Sequence, residues 1–131
     1  MNTSREWLGE CLSSHSKCKV HAAAIKYPTR LLDLGPGSTV NDIVRLVHKK
    51  TLLYEQQPYA TLSHCWGPSE QTGPLKTTRA NQALRVDGIP IQKFPKTFRD
   101  AMKFSKAMEI RHLWIDALCI IQDDKEDWPK V

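Results

Sequence analysis

The sequence predicts an α/β domain, and three segments carry that prediction: Tyr59 to Cys65, Pro95 to Met108 and Leu113 to Leu118. The first alternates Tyr, Thr and Ser with apolar neighbours and stops at Trp66-Gly67-Pro68, which reads as a buried strand with an abrupt end. In the second, Pro95 suits the first turn of a helix. Phe98, Ala101, Met102, Ser105 and Met108 then follow at helical spacing, placing one face on a core. The third is an apolar run that reads as a strand buried on both faces, as in a sheet covered by helices. A strand, a helical crossover and a second strand make a βαβ-type unit with the two strands adjacent and parallel.

The remaining elements are arranged around that unit. Thr3 or Ser4 caps a first helix in which Trp7, Leu8, Cys11, Leu12, His15 and Cys18 recur at helical spacing, running to about Ser16 with its apolar face on the core. Arg30 to Leu34 and Ile43 to Val47 read as short strands joined through Gly35-Pro36-Gly37-Ser38 as a hairpin. Pro68 to Pro74 is a loop, Thr78 caps a short helix through Leu84 that ends before Gly88, and Pro90 to Pro95 is a connector. The 131 residues, 40% of them hydrophobic, form one domain: residues 1–28 as a helical amino-terminal segment and 29–131 as an incomplete α/β core.

Composition excludes several function classes. No apolar stretch reaches the roughly 18–20 residues of a membrane helix, and the amino terminus lacks a signal-peptide core, so the chain reads as cytoplasmic. Four cysteines without a regular framework fit reduced thiols. The net charge of +5 is spread along the chain, densest only at His48-Lys49-Lys50, and the aromatics sit inside apolar motifs. Nucleic-acid binding is therefore not expected.

Two blocks stand out: Tyr59-Ala-Thr-Leu-Ser-His-Cys-Trp-Gly67, and Phe94-Pro-Lys-Thr-Phe-Arg-Asp-Ala101 continuing through Leu113-Trp-Ile-Asp-Ala-Leu-Cys-Ile-Ile-Gln-Asp-Asp124 to Asp127-Trp128. Trp7-Leu8, Cys11, His15, Cys18 and Pro28-Thr-Arg-Leu-Leu-Asp33 precede them in order. With these motifs the chain resembles the HET domain, the fungal heterokaryon-incompatibility module. That resemblance implies a cytosolic, innate-immunity-like trigger of programmed cell death in non-self recognition, working through protein partners or self-association. It also implies remote kinship with the flavodoxin-like, parallel α/β fold of TIR domains, with Tyr59 to His64 as the first central strand.

In such sheets ligands collect beyond the carboxyl ends of the strands, so the turn at Cys65-Trp66-Gly67 and the turn after Asp116 face one crevice. Ser63, His64, Trp66, Gly67, Trp114, Asp116 and Cys119 are its candidate lining. Asp116, within an apolar run, needs compensation by backbone N–H groups, His64 or an Arg. As a functional group it faces a ribose or acts as a base. Cys65 and Cys119 read as small hydrophobes rather than nucleophiles, because neighbouring strand residues point to opposite faces and His64 does not reach Cys65. Trp66, Trp114 and Trp128 are core or a stacking wall.

The acidic run Asp123, Asp124, Glu126 and Asp127 reads as solvated or helix-capping. Cys11, His15, Cys18 and His21 have the residue types of a zinc site. On an intact helix, however, Cys11 and Cys18 lie about 10 Å apart, so a packed helix face is the reading and no cofactor is assigned.

The TIR likeness carries a second mechanism, cleavage of NAD as substrate at the nicotinamide–ribose bond, with Asp116 and Trp66 or Trp114 as its groups. Family patterns commonly place Glu three residues after the Trp of the Asp-Trp pair. Here Val131 stands there, which counts against an enzyme and makes an inactive truncated paralogue a third reading.

Overall fold

A computed structural model describes residues 2–14, 27–52, 57–63 and 75–127. In order these are α1 (Asn2–Ser14), β1 (Arg30–Asp33), β2 (Ile43–His48), β3 (Tyr59–Leu62), α2 (Gln82–Asp87), β4 (Ile89–Pro90), α3 (Lys96–Ala107), β5 (His112–Ile115) and α4 (Asp116–Cys119), with single 3₁₀ turns at Lys49–Thr51 and Ile91–Lys93. The five described strands form one sheet in the order β3-β5-β1-β2-β4.

The sheet is mixed. β3 and β5 are parallel, Tyr59 opposite His112 and Leu62 opposite Ile115, with α3 on the crossover between them. This is the βαβ pairing expected from sequence. The other pairings are antiparallel: β1 with β2, β1 with β5 and β2 with β4. β1 and β2 are the expected hairpin strands, with β1 at the centre of the sheet and β5 between β1 and β3. β3 is not central but one of the two edge strands among those described, and its residues are at most partly covered.

One sheet face carries the core. Leu32, Leu46, Val44, Leu113 and Ile115 are almost fully buried beneath Phe94, Phe98 and Met102, the last two from α3. Phe98, Met102 and Ser105 recur at i, i+4 and i+7, as the helical spacing requires. The carboxyl end of α3 reverses tightly. Ile110 N–H bonds Ser105 C=O at 2.8 Å and Glu109 N–H bonds Lys106 C=O at 3.0 Å, with Glu109 at φ 64°. This is the Schellman pattern, with Glu109 in the left-handed position usually given to glycine. It turns the chain straight into β5.

Four expectations are corrected. Thr3 and Ser4 lie inside α1 rather than capping it. The apolar face of α1 is not buried among the described residues: Trp7 is 67% and Leu12 51% exposed. The apolar run Leu113 to Leu118 is strand only to Ile115, because Asp116 opens the short helix α4. The Pro90 connector contains a two-residue strand, β4, with Pro90 at the sheet edge where no N–H is needed. The loop expected at Pro68 to Pro74 lies outside the described residues, as do His15, Cys18 and His21, so Cys11 alone of those four has a described position. No described group of His, Cys, Asp and Glu could hold a metal ion, and no described helix is long and apolar enough to cross a membrane.

Where β1 meets β5, Asp33 accepts from Arg111 through Nε at 2.7 Å and Nη2 at 3.0 Å and from Gly35 N–H at 2.9 Å. Burial pushes the Asp33 carboxyl up, but these bonds and the charges of Arg111 and His112 outweigh it, leaving it below its ordinary value of 3.8. Burial holds the neighbouring His112 imidazole below 6.5, with Asp33 opposing and Arg111 and Lys106 adding. His48 is lowered in the same direction by burial and by Lys50, Arg30 and Lys49.

A depressed histidine binds its proton more readily unfolded, so its contribution is full above 6.5 and is lost as pH falls. The depressed Asp33 contribution persists below that and is lost as pH falls beneath 3.8. The urea midpoint is therefore expected to decline from about pH 7 to about pH 5 and again below about pH 4, with His112→Gln flattening part of the first decline. A midpoint constant between about pH 7 and about pH 5 would contradict this.

Candidate functional site

The carboxyl ends of β3 and β5 lie side by side because their parallel register ends at Leu62 opposite Ile115. Ser63 and Asp116 follow directly on each strand. Ser63 is exposed and Asp116 is half-buried, less enclosed than expected. The Asp116 carboxylate makes the expected backbone bond, accepting the Ala117 N–H at 2.7 Å. A carboxylate here also favours the first turn of α4 electrostatically.

The turn after Asp116 is heavily stitched. Gln122 Nε2 donates to the carbonyls of Asp116 at 2.8 Å and Ile120 at 2.9 Å. Thr77, fully buried, donates its hydroxyl to Leu118 C=O at 2.5 Å and its N–H to Ala117 C=O at 2.9 Å, and accepts the Gln122 N–H at 2.9 Å. The chain thus leaves β3 at Ser63 beside this turn and is fastened back onto the same turn at Thr77. Sequence reasoning missed Thr77 and Gln122. A polar pair flanking an apolar block was the available signal, but partners about 40 positions apart in sequence have no local pattern.

Trp114 points to the sheet face opposite Leu113 and Ile115, level with Thr61. It is half-buried, and its indole N–H is buried without a hydrogen-bond acceptor among the described residues. Cys119 is 2% exposed, donates weakly to Leu113 C=O at 4.0 Å, and has its thiol pushed up to about 12 chiefly by burial. A thiol so protonated is no nucleophile near neutral pH. His64, Cys65, Trp66, Gly67 and Trp128 lie outside the described residues. The structure therefore brings Ser63, Trp114, Asp116 and Cys119 to one end of the β3–β5 pair.

Asp127 departs from the solvated role expected of the acidic run. It is 2% exposed, accepts from Arg30 Nη1 through both oxygens at 2.8 and 2.9 Å, and accepts the Ile121 N–H at 2.8 Å. Arg30 Nη1 also reaches Cys119 C=O at 3.4 Å. The acidic half of the Asp127-Trp128 pair thus ties the start of β1 to the segment behind the Asp116 turn.

Residues 59–131 match the family model described as "Heterokaryon incompatibility protein (HET)". The match begins at the first residue of β3 and takes in α2, α3, β5 and the Asp116 turn. Among curated proteins, "Heterokaryon incompatibility protein 6, OR allele" of Neurospora crassa is 30% identical over 104 residues, covering 75% of this chain and 15% of the relative. The chain thus spans about a seventh of that relative's length. No solved structure matches it significantly. With more than half of its residues under the family model, from the parallel strand pair to the buried Asp127, the chain belongs to the heterokaryon incompatibility (HET) family.

Proposed function

We propose that the chain acts in heterokaryon incompatibility as a module that triggers programmed cell death on self-association in the cytoplasm, with its working surface at the carboxyl ends of β3 and β5. The observation that carries the reading is the coincidence of the family match with the βαβ unit: the two blocks shared with the family are the two strands that pair in register and end together at Ser63 and Asp116. The similar Neurospora protein bears the name of an incompatibility protein, which supports the same biology.

The test is inducible expression in a filamentous fungus, scored by viability staining, of the chain and of its Asp116→Ala variant. Loss of the Ala117 hydrogen bond and the helix-end charge costs about 1 kcal/mol, so the variant is expected to stay folded by circular dichroism. Cell death is expected to fall about tenfold or more. Killing undiminished by Asp116→Ala at equal protein level would overturn the assignment of the site, and a chain that never kills at any level would overturn the function.

A second reading is cleavage of NAD between nicotinamide and ribose. It is favoured by a half-buried carboxylate at the carboxyl end of a parallel strand, two residues after Trp114, whose indole N–H lacks an acceptor among the described residues. In that chemistry a carboxylate orients the ribose hydroxyls and stabilises positive charge developing on the ring. Nicotinamide release from NAD by the purified chain, abolished by Asp116→Asn, is the expected sign. Absence of release returns the reading to a purely associative signal.

A further inference from the structure

We propose that the cleft between the Gly35–Ser38 loop and the carboxyl end of α3 binds the phosphate monoester group of a small molecule, with Lys106 and Arg111 as its cationic donors. The cleft lies at the opposite end of the β3–β5 pair from Asp116. It has a volume of about 460 Å³, and its lining includes the loop, Gln57, Lys106, Glu109 and Arg111. That volume falls within the range of small-molecule sites.

The charges of this cleft do not balance. Arg111 is paired with Asp33, and Glu109 with Arg5 at 2.5 Å, so these four cancel in pairs. Lys106 is left over. It is 5% exposed, and among the described residues it hydrogen-bonds the carbonyl of Gly35, a dipole rather than a charge. Burying an ammonium on a single carbonyl is costly, because water's full complement of acceptors is withdrawn and the charge of Asp33, already engaged by Arg111, offsets this only in part. An anion in the cleft supplies the missing counter-charge.

The remaining donors suit a phosphate. Arg111 uses Nε and Nη2 on Asp33, leaving Nη1 without a partner among the described residues, and a guanidinium at such a site favours an oxyanion with several acceptor oxygens. The Ser38 hydroxyl and the N–H groups of Gly37 and Ser38, in a loop whose glycines take positive φ, add uncharged donors. Among the described lining residues Glu109 is the carboxylate, and Arg5 holds it, which limits its repulsion of an entering anion.

The test titrates inorganic phosphate into the 131-residue chain at constant ionic strength, following the backbone amide signals of Gly35, Gly37 and Ser38 and the melting temperature. Saturable shifts at those three amides and a rise in melting temperature are expected. Lys106→Met should abolish both. Ser38→Asp, on an exposed loop position, leaves folding untouched and is expected to weaken phosphate about tenfold or more. Acetate should bind about tenfold more weakly than phosphate, and equal binding would overturn the phosphate assignment. Shifts that grow linearly without saturation, or undiminished affinity in both variants, would overturn the site.

Discussion

Asp127→Ala is expected to lower the unfolding free energy by about 3–5 kcal/mol, because it strands the Arg30 guanidinium in a buried position and removes the acceptor of the Ile121 N–H. Arg30 is only 11% exposed at its side chain, so water cannot take over the lost partner. The measurement is urea unfolding followed by circular dichroism, and a midpoint shift equivalent to less than about 1 kcal/mol would show that the pair does not hold β1 to the segment after β5. A double substitution separates charge from packing. Arg30→Met with Asp127→Leu removes both charges and is expected to recover part of the loss, with the Ile121 N–H still lacking its acceptor, since the penalty comes from an unmatched charge more than from the pair itself.

Gly88→Ala is expected to be nearly as damaging. Gly88 ends α2 at φ 133° and ψ 151°, a conformation open essentially to glycine alone, and a Cβ built there would stand 2.3 Å from Ile43 Cγ2. The backbone penalty is about 1–3 kcal/mol. Displacing Ile43, which pairs with Pro90 across β2 and β4, adds about 1–3 kcal/mol more. Gly37→Ala provides the control, because Gly37 also has positive φ but a Cβ there meets nothing within 4 Å. It should show only the backbone cost. Equal urea midpoints for the two variants would mean that the clash with Ile43 relaxes freely.

The elements most legible in the sequence were those whose signal is local. The α3 face repeats over three turns, and the β1–β2 hairpin is marked by Gly35-Pro36-Gly37-Ser38 between two β-rich runs. The parallel neighbours β3 and β5 followed from the helical crossover between them. The end of β5 was harder to see, because Leu113 to Leu118 is apolar throughout and a buried strand and a buried helical turn have the same composition. β4, two residues long and containing Pro90, is too short for periodicity to mark.

At the candidate site the position of Asp116 and its bond to a following amide were readable, since a carboxylate in an apolar run must be compensated close by. The burial of Asp127 and Lys106 was not. Their partners, Arg30 and the Gly35 carbonyl, lie 97 and 71 positions away, and each residue sits in an otherwise charged and ordinary stretch. Thr77 was hidden for the same reason.

The Arg30–Asp127 tie also sets an order of events during synthesis. β1 and β2 emerge early and can pair with each other, but the other neighbour of β1 is β5, and the counter-charge for Arg30 arrives only with residue 127. Until then the nascent hairpin carries an unmatched guanidinium and a row of unpaired backbone groups along one side of β1. Among the described strands β5 is the last to be made and lies between β1 and β3, so these two stay unjoined until residues 112–115 have emerged.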